Sequence, residues 1–191
     1  MAYLVTRRHL AHSCWRRTAR GLVLAIAISL LLSAKMSAAQ PALEQAVKAS
    51  YLFKFGPFVD WPANAFADSS GAFQICIIGR DPFGPVLDEV VRGQKIHGRP
   101  AVVRRLSKGP AGRCHILYLG NGAGTAELPS DLIAKPVLTV SDRSEGKGDG
   151  MIQFVMQGGR VRFGIDDAAA RASGVRISSK LLDLAVPAGT R

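Results

Sequence analysis

The stretch MIQFVMQGGRVRFGID, Met151 to Asp166, constrains the fold of this 191-residue chain more than any other. Two β-prone runs, Met151 to Gln157 and Arg160 to Asp166, flank the pair Gly158-Gly159. Two glycines supply the positive φ that both central positions of a two-residue turn require, so the runs should fold back as an antiparallel hairpin. In the second arm Val161, Phe163 and Ile165 alternate with Arg160, Arg162 and Gly164, which gives one buried face and one wetter face. Asp166-Asp167 then leads into a short helix over Ala168 to Ala172 that Gly174 stops. Ser178 is placed to cap a last helix whose Leu181, Leu182 and Ala185 face inward.

Upstream of the hairpin, strands alternate with helices. Leu43, Val47, Tyr51, Phe55 and Phe58 recur at three- and four-residue spacing, which predicts a helix over Ala42 to Phe58, bounded by Pro57 and Pro62. Phe73 to Ile78 reads as a buried strand. A short helix follows from Pro82 or Phe83 to Val91, with Asp81 placed to cap it. Ala101 to Leu106, His115 to Leu119 and Val137 to Val140 read as further strands, and Glu127 to Ile133 as a helical turn or two. The pattern predicts an α/β chain: a single domain, a mixed sheet flanked by helices, with a C-terminal β-hairpin and short helices.

The N-terminus sets the compartment. Residues 1–20 carry five arginines and no acid, an apolar run from Leu22 to Leu32 follows, and Ser37 and Ala39 are the small residues before a cut. This is the layout of a secretory signal peptide, and the run is too short to span a bilayer about 30 Å thick. The expected segments are a leader over 1–39, a domain over 40–185 and a flexible tail over 186–191. Removing the leader takes away six Lys/Arg and no Asp/Glu, leaving 19 cations against 14 anions over 152 residues. A net +5 without a clustered basic run is not a nucleic-acid footprint. Cys14 leaves with the leader, so Cys76 and Cys114 remain as an even pair in an oxidising compartment.

Signatures of catalysis are missing. Gly79-Arg80-Asp81-Pro82-Phe83-Gly84 matches neither a dinucleotide fingerprint nor a Walker loop, and Pro82 removes an N–H that a phosphate nest needs. His97 and His115 lack metal-ligand spacing. Cys114 and His115 are adjacent on a strand and point to opposite faces, so they should not form a dyad. Asp142, Glu145, Asp149, Asp166 and Asp167 could meet only through the fold. Asp166 and Asp167 are more simply acids at a helix N-terminus. The aromatic group Tyr51, Phe53, Phe55, Phe58 and Trp61 serves packing first, with part of it available as a partner patch.

Seven segments in register resemble the YfiR family of periplasmic regulators. They are VKASYLFKFGPFVDWP (Val47 to Pro62), ICIIGRDPFG (Ile75 to Gly84), GRPAVVRRL (Gly98 to Leu106), CHILYLG (Cys114 to Gly120), PVLTVSD (Pro136 to Asp142), GMIQFV (Gly150 to Val155) and VRFGIDDAAARASGVRISSKLLDLA (Val161 to Ala185). The resemblance implies an exported, non-enzymatic protein without a cofactor. Such a protein binds the periplasmic sensor domain of a membrane-anchored diguanylate cyclase and represses it, lowering cyclic-di-GMP and biofilm formation. It also implies a possible homodimer. The alternative reading is a periplasmic small-ligand carrier or sensor with an apolar pocket.

The resemblance pairs Cys76 with Cys114 in a disulfide. That bridge would close a loop of about 38 residues, worth roughly 4 kcal/mol in the chain-entropy model. A second cysteine pair found in some members is missing from SDRSEGKGDGMIQF, so a single structural bridge is implied. Many members read Phe-Glu-Ile-Asn where this chain has Phe163-Gly164-Ile165-Asp166. The hairpin and the helix after it are the implied docking surface, with Ile152, Phe163, Gly164 and Ala170 near it.

Overall fold

The computed structural model describes residues 40–66, 71–107, 114–122, 136–145 and 150–187. The leader and the helical turn expected at Glu127 to Ile133 lie outside the described residues. By internal contacts the chain divides after Leu43, and the fold below is that of Glu44–Arg191.

Nine strands are described: β1 (Val59–Asp60), β2 (Phe73–Ile78), β3 (Lys95–Ile96), β4 (Arg99–Leu106), β5 (Ile116–Leu119), β6 (Leu138–Asp142), β7 (Ile152–Gln157), β8 (Arg160–Ile165) and β9 (Arg176–Ile177). Helix α1 covers 40–55, and α2 (Pro85–Val91), α3 (Asp167–Ala172) and α4 (Ser179–Leu182) follow. Seven strands form one sheet in the order β3-β4-β2-β5-β6-β7-β8, while β1 and β9 pair separately. The central pairs from β4 to β7 are parallel, and both edges are antiparallel. The mixed α/β sheet read from the sequence is therefore the fold.

The hairpin is as the glycines demand. Gly158 and Gly159 have φ of 57° and 71°, and Phe154 faces Phe163 across the pair. Asp166 caps α3, its carboxylate accepting the Ala169 N–H at 2.9 Å. At the outer edge of β8, the Val186 N–H donates to the Phe163 carbonyl at 2.9 Å.

Side-chain alternation splits the sheet into two unlike faces. One carries Phe73, Ile75 and Ile77 of β2, Ile116 and Tyr118 of β5, Leu138 and Val140 of β6, Ile152 and Phe154 of β7, and Phe163 of β8. All four described helices contribute to this main core, through Leu52 and Phe55, Leu87 and Val91, Ala170, and Leu181. The other face holds a smaller cluster of Cys76, Cys114, Leu117, Leu119 and Val137.

Helix α1 departs from expectation. The predicted stripe put Leu43 and Phe58 inward, but both are exposed, Phe58 in the 3-10 turn Gly56–Phe58 that follows the helix. The buried face runs instead through Lys48, Ala49, Leu52 and Phe55, with Tyr51 half-buried beside it. The face is rotated because a lysine occupies it. An ammonium can be buried when it is paired and hydrogen-bonded, and Lys48 is both. Helix α2 starts later than expected, at Pro85, because Asp81 first folds the chain into a turn.

Candidate functional site

The βα turn after β2 is a structural clamp. One Asp81 carboxylate oxygen accepts the N–H groups of Phe83 and Gly84 at 2.8 and 3.2 Å, so a side chain of this protein already takes the donors a phosphate would need. Arg105, reaching over from β4, bonds the other Asp81 oxygen at 2.7 Å, both oxygens of Asp88 at 2.6 and 3.1 Å, and the Gly84 carbonyl at 2.7 Å. Its hydrogen bonds to Asp88 and then Asp81 hold the guanidinium pKa above the ordinary arginine value, and the same bond lowers the Asp88 pKa.

Doubly wound sheets take ligands beyond the carboxyl ends of the strands where the order reverses. Here that place lies between the ends of β2 and β5, and the chain itself closes it. Arg80 N–H donates to the Asn121 carbonyl at 3.2 Å, and Gly120 N–H to the Ile78 carbonyl at 2.9 Å. A Cβ on Gly120 would lie 1.9 Å from the Arg80 carbonyl oxygen. Only glycine lets the two loops approach this closely.

The predicted bridge is present. Cys76 on β2 and Cys114, just before β5, form a disulfide with Cα atoms 5.8 Å apart, buried among Leu117, Leu119 and Val137. His115 points the opposite way, as alternation requires. Its Nδ1 accepts the Gln74 N–H at 2.9 Å, and its ring stacks between Phe73 and Phe66 at 4.6 and 4.8 Å. Nε2 of His97 donates to the carbonyls of Gly56 and Val59, at 3.1 and 3.0 Å, and its ring meets Trp61 edge-on at 5.8 Å. Both histidines thus fasten the segment after α1 to the sheet.

Among the described residues the carboxylates gather into no group of three or more. Asp142, at the end of β6, is buried against Lys48, its other oxygen accepting the Ser144 N–H and hydroxyl at 2.9 and 2.7 Å. Glu44 pairs with the same Lys48 one turn away on α1. Burial opposes the Lys48 charge, but its bonds to Asp142 and Glu44 outweigh that and raise its pKa above the ordinary lysine value. Asp167 pairs with Arg171 at 2.8 Å along α3. Asp149 lies outside the described residues. Among the described residues no three or more His, Cys, Asp and Glu could hold a metal ion. No described helix is long and apolar enough to cross a membrane.

The four residues expected near a docking surface are all buried and divide by the face they occupy. Ile152 and Ala170 are 0% exposed and Phe163 is 3% exposed, so they form the floor under the hairpin. Tyr51 and Phe55 of α1 pack against Phe163 with ring centroids 5.6 and 5.2 Å away. Gly164, also buried, lies on the opposite face of β8 from Phe163. It lines a groove of about 310 Å³ with Arg143, Gln153, Val155, Met156, Gln157, Val186 and Pro187. Register puts Gly164 opposite Gln153, Arg162 opposite Val155 and Arg160 opposite Gln157, all on the face that bears no described helix. Sequence reasoning missed Val186, Pro187 and Arg143, because only the fold brings β6's end and the C-terminal segment to the hairpin. It also missed Lys48, whose signal was a lysine four residues after Glu44 on a face with Ala49, Leu52 and Phe55.

A five-strand parallel core with antiparallel edges, stapled between β2 and the start of β5 and grooved at its terminal hairpin, is the architecture of a disulfide-stabilised α/β domain. The chain belongs to the YfiR/HmsC-like family, whose model matches residues 45–186. No curated protein matches it.

Proposed function

We propose that this protein is a periplasmic regulator that binds the periplasmic sensor domain of an inner-membrane diguanylate cyclase and holds the enzyme inactive. Cyclic-di-GMP and biofilm formation fall as a result. The observation that carries this reading is the YfiR/HmsC-like match over residues 45–186, which takes in both bridge cysteines and the whole hairpin. Residues 1–39 direct export, and the released domain acts without a cofactor and by contact, not by catalysis. The contact surface is the β7–β8 hairpin, with Gly164 at the groove and Ile152, Phe163 and Ala170 holding the strands and α3 in place beneath it. The second reading, a small-ligand carrier, finds less support, since the crevice where such a sheet would take a ligand is closed by the backbone bonds of Arg80 and Gly120.

The test is genetic and chemical together. Deleting the protein should raise cyclic-di-GMP only in cells that carry the cognate cyclase, and periplasmic expression of the chain should restore the low level. Equal cyclic-di-GMP with and without the protein, in a strain whose cyclase is expressed, would sink the proposal.

A further inference from the structure

Cations on or against the described sheet are engaged in several places: Arg105 with Asp81 and Asp88, Arg104 with Gln74 at 2.9 Å, and Lys48 of α1 with Asp142 and Glu44. Arg160 and Arg162 differ. Both are exposed, both stand on the outer face of β8, and neither forms an ion pair with a described residue. They continue the line of Gly164, where the groove lies, lined by the apolar Val155, Val186 and Pro187 beside the polar Arg143, Gln153 and Gln157. Alternate residues on a strand repeat about every 7 Å along one face. An extended peptide has the same repeat. Two guanidiniums and a notch without a side chain thus present a ladder that matches an extended segment with an apolar residue and two carboxylates at successive alternate positions. Guanidinium–carboxylate pairing in planar, two-point geometry would then set the register.

We propose that the outer face of the β7–β8 hairpin binds an extended acidic segment of a partner protein, with Arg160 and Arg162 each taking a carboxylate and the Gly164 notch taking an apolar side chain. This rests on the reading of the protein as one that works by contact, and it names the chemistry that the contact selects. A second copy of the chain is the wrong occupant for this face, because it would bring Arg160 and Arg162 against cations of the same kind.

The test uses the full chain, purified after export, and a fluorescent hexapeptide Val-Thr-Glu-Thr-Glu-Thr with a control in which both glutamates are glutamine. The glutamate peptide should bind, more weakly as salt rises. Its affinity should fall about tenfold or more in Arg160→Gln/Arg162→Gln, and the glutamine peptide should bind about tenfold more weakly to the wild type, a difference of roughly 1.4 kcal/mol. Amide NMR of the wild type should confine the peptide-induced shifts to Gln153, Val155 and the Arg160–Gly164 segment. Equal affinity for the two peptides, unchanged affinity in the double variant, or no binding at roughly 1 mM peptide would overturn the proposal. So would arginine-dependent binding to phosphatidylglycerol vesicles by a protein that ignores the peptide. If the double variant still represses the cyclase fully, this inference fails while the regulatory function stands. Arginine-dependent peptide binding without any effect on cyclic-di-GMP supports this inference and overturns the regulatory function.

Discussion

Lys48 stands where the helical pattern calls for an apolar residue, and its neighbours explain why it is tolerated. Removing one partner of a buried pair strands the other, so Lys48→Met should cost about 3–5 kcal/mol by denaturant unfolding, and adding Asp142→Leu should recover most of it. The pH dependence has a definite sign. Because folding raises the Lys48 pKa, its contribution is complete below the ordinary lysine value of about 10.4 and is lost as pH climbs through the higher folded value. Thermal unfolding followed from neutral to alkaline pH should show that loss in the wild type, and Lys48→Met should lack this component. Arg105 is a milder case. Its side chain is 41% exposed, so Arg105→Ala should cost on the order of 1 kcal/mol, less at high salt, despite the two carboxylates it holds. Composition hides this distinction between charges, since it depends on which face of its helix or strand each one occupies.

Elements with local causes were legible, and those with distant causes were not. The hairpin needed only Gly158-Gly159 and alternation, and α3 needed only Asp166 and Gly174. The core face of α1 was misread because it includes Lys48, whose partner Asp142 lies 94 residues away. The closing of the β2–β5 crevice was equally out of reach, because it depends on Gly120 meeting Arg80 across two adjacent strands. Gly120→Ala should therefore force the loops apart and lower stability by about 2 kcal/mol or more, in the range of strained or overpacked core substitutions, as read by chemical denaturation. The bridge between Cys76 and Cys114 closes a 38-residue separation, so Cys76→Ala/Cys114→Ala should lose about 2–4 kcal/mol. Thiol titration of periplasm-purified wild type under denaturing, non-reducing conditions should find no free thiol from this pair.

At the scale of the whole molecule, the sequence revealed its class through seven weak segments held in order, each too short to identify alone. The groove was not legible, because Arg143, Gly164 and Val186 belong to different parts of the chain. Gly164→Glu would force a carboxylate into a buried position of β8 beside Arg162, so it should lower the unfolding midpoint as well as alter affinity for a captured cyclase sensor domain, measured by denaturation and titration. The two ends of the sheet have a further consequence. An open strand edge is a template for any chain with free backbone groups. One edge here is β3, only two residues long, and the other is β8, where Val186 occupies the Phe163 carbonyl. The last residues of the domain therefore act as a stopper against endless growth of the sheet. A chain ending at Leu184 should scatter light and pellet at concentrations where the full chain stays dispersed.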